Sequence, residues 1–208
     1  MIKSGELLSD ILISVQRALI GFFIGSITGI LVGILTGRIK VLKQTIGQLI
    51  QLFRPIPSIA FVPLAIIWFG LGESSKYFLI FWGVFFPVWV NTHIGVTNIE
   101  TRLIWAAKSL GTGDKKILYE IILPASTPFI IAGTRIGIGV AFVCLVAAEM
   151  AGAFGGIGFR IEVSHMVFRV DKMMAGIVTL GVLGATADWL FVKVINKFLP
   201  WHRLNITG

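Results

Sequence analysis

Three ionisable residues stand where ionisable residues are costly. Arg135, Glu149 and Asp188 each lie inside a long apolar run, and a charge at the centre of a membrane-spanning helix costs about 2.5–3.5 kcal/mol on insertion scales. Groups of this kind pair with one another, reach water or line a path for a charged solute. Arg135 comes seven residues after Pro128 and Asp188 seven before Ile195. At 1.5 Å per residue both lie about 10 Å from the same membrane face. A guanidinium could grip a carboxylate there through two hydrogen bonds. The rival reading has Arg135 reach the surface and attract an anion, with Asp188 bound to other polar groups. Glu149 is near the outer end of its run. It either reaches water at the interface or serves gating, helix positioning or a hydrogen bond, because a carboxylate is a poor lining for an anion path.

Bond-making chemistry finds no constellation. Ser164 and His165 are adjacent, so on a helix or strand they point apart. Gly-x-Ser-x-Gly and His-Glu-x-x-His do not occur. His93, His165 and His202 lack ligand spacing, and Cys144 is the only cysteine, so neither a metal centre nor a disulfide is expected. Gly111-Thr112-Gly113-Asp114-Lys115 imitates a phosphate-binding loop poorly, and it follows a helical pattern instead of a strand. An intramembrane enzyme therefore ranks low, and no cofactor is expected in this chain.

The elements that must position these charges are membrane helices. Of 208 residues, 56% are hydrophobic and only 13% charged, and the mean hydropathy is +0.91. Soluble domains carry about 25% charged residues, so a soluble globule, a disordered chain and a collagen-like fibre are all excluded. The net charge of +8 is scattered between apolar runs, which argues against nucleic acid as a partner and for membrane lipid. Residues 11–36, 77–97, 128–150 and 174–195 each supply the roughly 20 residues a spanning helix needs. A fifth stretch, 45–72, is interrupted by Arg54-Pro55-Ile56-Pro57. Proline removes a backbone donor and biases the preceding residue away from helix. The stretch is therefore read as a broken helix, one half ending at Phe53 and the other running from Ser58 to Leu71. Broken spans mark the pathway in many transporters, which makes Pro55 and Pro57 candidates for a translocation path or gate beside Arg135, Glu149 and Asp188.

Five spans result. The loops holding Arg38–Arg54, Glu100–Ser126 and the C-terminal end carry eleven of the lysines and arginines, and the opposite loops carry six, so the first set is assigned to the cytoplasm. An odd number of spans then leaves Met1 outside, and a preceding helix is expected. Gly21, Gly25, Gly29, Gly33 and Gly37 recur every four residues. That spacing puts bare backbone along one helix face, the pattern of a close helix–helix contact, with a flexible hinge as the alternative. Gly133 and Gly137 repeat the device. Gly152, Gly155, Gly156 and Gly158 lead into Arg160, Arg169 and Lys172 on the outer side. This stretch is read as an ordinary connection, a re-entrant loop or a docking surface. Its cations could attract an anion or an acidic binding protein.

The loop at 101–124 has its own pattern. Leu103, Ala106, Ala107 and Leu110 form an apolar stripe. Gly111, Thr112 and Gly113 then break the helix, and Asp114 is placed to cap a second one. Pro124 is expected to end that second helix, and Pro128 to begin the next span. The pair either rests on lipid or docks into a partner.

Ala106-Ala107, then Gly111, then nine residues later Ile121-Ile122-Leu123-Pro124, resembles the EAA loop of ABC-importer permeases, with Trp105 where the family carries glutamate. Arg54-Pro55-Ile56-Pro57, Phe69-Gly70-Leu71-Gly72, Phe86-Pro87, Gly133-Thr134-Arg135 and Val146-Ala147-Ala148-Glu149-Met150 extend the likeness to the nitrate, sulfonate, taurine and bicarbonate subfamily. The resemblance implies an all-α, polytopic transmembrane bundle forming a single permease domain, 1–208. Six spans are usual in the family, and the match starts at the second. It also implies a homodimer in a bacterial plasma or inner membrane. Trp105, Ala106, Ala107, Leu110, Gly111, Ile121, Leu123 and Pro124 would couple to two cytoplasmic ATP-binding subunits that hold ATP and Mg. A periplasmic or extracellular solute-binding protein would deliver a small anion. A passive channel, the remaining rival, has no need of a docking helix pair.

Overall fold

A computed structural model describes residues 6–198, and the regular elements within them are all helical. Lys3, His202, Arg203 and Met1 lie outside the described residues. The first helix, α1 (Glu6–Arg38), has 33 residues, about 50 Å of helix against a bilayer core of about 30 Å. Short α2 (Lys40–Leu42), a π-helical turn (Lys43–Gly47) and α3 (Gln48–Phe53) lead to the proline bend. A 3-10 turn (Ser58–Phe61) and α4 (Val62–Phe69) follow. The two halves, Lys40–Phe53 and Ser58–Phe69, meet at 84°, as the two prolines predict. Next come α5 (Glu73–Thr97), α6 (Thr101–Ser109) and α7 (Asp114–Ile117). The π-helical Leu118–Ile122 joins α7 to α8 (Leu123–Gly152). α9 (Ile157–Met166) and α10 (Val170–Phe198) complete the described chain. Among the described residues four helices can cross a membrane by length and composition, or five with the bent pair.

The glycine ladder makes the central contact. A Cβ on Gly21 would collide with Ile80, on Gly25 with Val84, on Gly29 with Val88, on Gly33 with Thr92 and on Gly37 with Val96. Each step of four on α1 meets a step of four on α5, in the same direction. The two helices therefore run parallel with their backbones nearly touching. Parallel neighbours need a return crossing between them, and the bent pair supplies it. On the opposite edge of α1, Leu8, Leu12, Leu19, Phe23, Ile27, Leu31 and Leu35 are exposed at steps of four and seven, a ridge suited to lipid.

α8 packs antiparallel to α5. A Cβ on Gly95 would meet Phe129, on Gly133 Asn91, and on Gly137 Val84 and Val88. The core lies where the three helices converge, at Ala18, Ile80, Val84, Val88, Ala141, Cys144 and Leu145.

Two local expectations are corrected. Pro124 does not end a helix and Pro128 does not begin one: Asp114–Gly152 is a continuous helical segment of 39 residues. The π-helical turn before Leu123 puts Pro124 in the first turn of α8, where a missing N–H is tolerated. Asp114 caps nothing. Gly113 takes the extended cap position and Asp114 is the first helical residue, its carboxylate 3.2 Å from Arg38 and 3.8 Å from Lys108.

Candidate functional site: a docking loop, a buried charge brace and a broken span

The docking loop is a short helix ended by a glycine. Gly111 has φ +76°, the left-handed region that an L side chain enters at a cost of about 1–2 kcal/mol. Its N–H donates to the Lys108 carbonyl at 2.9 Å, and the Thr112 N–H donates to Ala107 at 3.0 Å, which is the Schellman arrangement. The turn separates two kinds of side chain. Ala107 is buried with Val96, Ile117 and Ile122, and Ile121 packs against that cluster. Trp105 and Leu110 are 65% and 85% exposed. Ala106, Gly111 and Pro124 are also exposed, and Leu123 is half-buried. The inward residues seat the loop on the helix bundle, and the outward ones form an apolar projection.

At the outer end lies a charge cluster. Glu149 is fully buried, so it does not reach water at the interface. Its carboxylate accepts from Ser14 Oγ at 2.8 Å, Arg17 Nη1 at 2.9 Å and the Gly158 backbone N–H at 2.8 Å. Arg17 also grips Glu73 through Nε at 2.6 Å and Nη2 at 2.5 Å, and donates to the Gly155 carbonyl. Asp10 accepts from the Gly156 N–H at 3.0 Å and from Arg160 Nε at 2.7 Å. Ser14 Oγ accepts from Ile157. Lys76 Nζ donates to the carbonyls of Leu71, Gly72 and Gly152, tying the α4–α5 connection to the C-terminal end of α8, where a cation is favoured. Together these bonds pin residues 152–158 onto α1, and the glycines are needed there. Gly156 has φ +111°, and a Cβ would strike the Glu149 carboxylate.

Burying an ion costs several kcal/mol unless each lone pair and proton is met. Among the described residues three acids, Asp10, Glu73 and Glu149, face three bases, Arg17, Lys76 and Arg160, so their formal charges balance. Of the outer cations read as anion attractors, Arg160 is bonded to Asp10 and Arg169 lies 2.9 Å from Asp171.

Sequence reasoning did not pick out Asp10, Ser14, Glu73 or Lys76. A usable signal existed. Asp10, Ser14 and Arg17 are spaced four and three residues apart, a polar stripe on an otherwise apolar helix face.

Arg135 and Asp188 do meet: Nε lies 2.8 Å from Oδ1 and Nη2 2.9 Å from Oδ2. The pair joins α8 to α10 and is separate from Glu149. Pro57 lines a cavity of about 400 Å³ under the bend, with Ser58, Trp82, Phe86, Asn91 and Val140. Trp82 Nε1 is buried there with no hydrogen-bond partner among the described residues. Pro55 is exposed in the bend itself.

Known proteins give the arrangement its context. Residues 13–198 match the family described as binding-protein-dependent transport system inner membrane component. An ABC transporter permease protein of Methanocaldococcus jannaschii is 38% identical over 98% of this chain and 77% of its own length. A taurine transport system permease protein of Escherichia coli is 34% identical over 91% of this chain and 69% of its own. A nitrate import permease protein of Synechococcus elongatus is 37% identical over 93% and 71%. The fold is that of a chain from the methionine ABC transporter MetNI in an inward-facing form, with TM-score 0.76 and 19% identity over 92% of this chain and 95% of that one. A helical bundle of this fold, with this match along nearly its whole length, belongs to the family of binding-protein-dependent transport system inner membrane components, the multi-pass membrane permeases of ABC importers.

Proposed function

We propose that this permease carries a small anion of the sulfonate, taurine, nitrate or bicarbonate class along a path beside its broken span. The chain acts as a homodimer, driven by two cytoplasmic subunits that bind ATP and Mg, and an external solute-binding protein loads it. Trp105, Ala106, Leu110 and Gly111 form the contact with the ATPase, on the seat made by Ala107 and Ile121. Leu123 and Pro124 carry the loop into the membrane.

One observation carries this reading: the second half of the docking loop, from Asp114, and the membrane span form one continuous helical segment, Asp114–Gly152. A force on the exposed turn at Gly111 passes through Thr112 and Gly113 to the start of that segment, and from there reaches Arg135 and Glu149 through helical backbone hydrogen bonds. The Glu149 cluster fixes the outer end of that helix to α1, so displacement at the inner end becomes tilt. Tilt of α8 changes the cavity under Pro57, to which Val140 contributes. Movement of a packed element between two arrangements is how alternating access is produced. The names of the taurine and nitrate relatives support an anion as solute.

The test is reconstitution. Membranes expressing the tagged permease with its ATPase should yield a complex of both, and proteoliposomes of that complex with the binding protein should accumulate solute only when supplied with ATP and Mg. Accumulation without ATP would identify a passive channel instead.

A further inference from the structure

Two helices of this protein end in the same hydrogen-bonded turn and differ in the residue at its crest. After α6 the crest is Gly111. After α9 it is Phe168. The Phe168 N–H donates to the His165 carbonyl at 3.0 Å, and the Arg169 N–H donates to Ser164 at 2.8 Å, the Schellman pattern again. Phe168 has φ +53° and is the one non-glycine residue of positive φ among the described residues. A Cβ in that region crowds its own backbone, so glycine is the usual occupant. The strain gains nothing inside the molecule. The Phe168 side chain is 87% exposed, and no packing offsets the backbone cost. Met166, Val167 and Val170 beside it are exposed as well. The turn is nonetheless well seated. Ile157, Ile161 and Ser164 bury one face of α9, and Gly176 of α10 packs on Ile161. Asp10 and Ser14 hold the start of α9 on α1. A fixed platform thus presents a strained, water-facing aromatic, and strain of this kind gathers where a ligand or partner is met.

Height and charge point to the kind of partner. From the Arg135–Asp188 pair, α8 rises about 21 Å to Glu149 and α10 about 27 Å to Val170, at 1.5 Å per residue. Arg17 bonds both Glu149 and Glu73, so the outer start of α5 is level with Glu149. The turn stands beyond both, outside the layer of apolar helices, and meets a partner that comes from the water. The charged groups around it balance: Arg169 pairs with Asp171 at 2.9 Å, and Glu162 offsets Lys172. A surface made for anionic lipid headgroups carries an excess of lysine and arginine instead. Exposed phenylalanine and methionine within a ring of mixed charge are the anatomy of a protein–protein contact.

We infer that Phe168, flanked by Met166 and Val167, is the anchor on which the external solute-binding protein docks, its ring entering an apolar recess of that protein. The inference rests on the importer reading above and names the surface its external partner uses. It also changes the nature of the contact. The outer arginines that could draw an acidic partner are already spent on Asp10 and Asp171, so docking is apolar at its centre and the charges form the rim.

The experiment uses the reconstituted complex of permease and ATPase with the binding protein that supports its uptake. Initial rates are measured against binding-protein concentration. Phe168→Gly should raise the half-saturating concentration roughly tenfold or more, the loss of an aromatic anchor, and leave the maximal rate unchanged. Phe168→Asn should do the same. Both variants should melt in detergent at the parent's temperature or a few degrees above it, because both residues enter the left-handed region more readily. With p-benzoylphenylalanine in place of Phe168, irradiation of the assembled importer should join the permease to the binding protein. An unchanged half-saturating concentration, a lower melting temperature for Phe168→Gly, or a photoadduct with lipid or with a second permease would each overturn the inference. The importer reading fails separately, if the parent complex itself accumulates no solute.

Discussion

Arg135 and Asp188 face each other through two parallel hydrogen bonds of 2.8 and 2.9 Å across 53 residues of chain. The guanidinium and carboxylate are each about one-third exposed, so the pair lies at the edge of the bundle. Either group alone would be a charge facing a low-dielectric surround. Arg135→Asp and Asp188→Arg should therefore each lower the recovery of monodisperse protein, since an unpaired charge costs about 2.5–3.5 kcal/mol at mid-span and less nearer the interface. The double exchange should recover part of it. Size-exclusion profiles of the four proteins decide the matter, and a double variant no better than the singles would remove the pair from the list of stabilising contacts.

Gly111 should tolerate asparagine better than valine. A Cβ at this position meets nothing within 4 Å, so the constraint is the backbone at φ +76°. Asparagine enters that region more readily than other L residues. Gly111→Val should abolish ATP-driven uptake with normal membrane insertion, and Gly111→Asn should retain a measurable fraction. Equal uptake by all three proteins would show that the turn is not part of coupling.

Gly29→Leu should disrupt the bundle. A Cβ there would lie 3.0 Å from Val88 Cβ and from the Phe85 carbonyl, a tight contact that already needs the neighbours to give, and the rest of a leucine would press further into α5. Overpacking of this kind costs about 1–3 kcal/mol or more. Gly181→Leu is the control, because a Cβ at Gly181 meets nothing within 4 Å. Thermal stability in detergent should fall sharply for the first and little for the second. Equal stability would mean that α1 and α5 are not the close pair described.

Glu149→Ala should be among the most damaging single changes in the protein. It leaves Glu73 as the one acid on Arg17 among the described residues and strands the Ser14 hydroxyl proton and the Gly158 N–H. Removing one partner of a buried ion pair costs about 3–5 kcal/mol. Ser14→Ala, which removes a neutral partner, should cost about 1–2 kcal/mol. Apparent melting temperatures should fall in that order, and a Glu149→Ala protein as stable as Ser14→Ala would deny the carboxylate its bracing role.

Features built from local periodicity were legible in the residues alone. The four-residue glycine ladder announced a close helix contact because i and i+4 share a face whatever the neighbour is. Arg54-Pro55-Ile56-Pro57 announced the bend because proline acts on its own backbone. Arg135 and Asp188 could be set at equal depth because helical rise is constant. Tertiary structure alone decided which helix met the glycines, and that the contact was parallel. It also decided the rotation that joined Arg135 to Asp188. Glu149 found Ser14 and Arg17 more than 130 residues away, which no local pattern specifies. The continuity of the helix through Pro124 was likewise hidden. A π-helical turn shifts the backbone bonding by one residue and gives the proline a first-turn position, whereas propensity assigns it a stop. Depth and periodicity belong to a single helix. Partner, rotation and burial belong to the packing of several, and these decide whether a membrane charge braces the bundle or faces a solute.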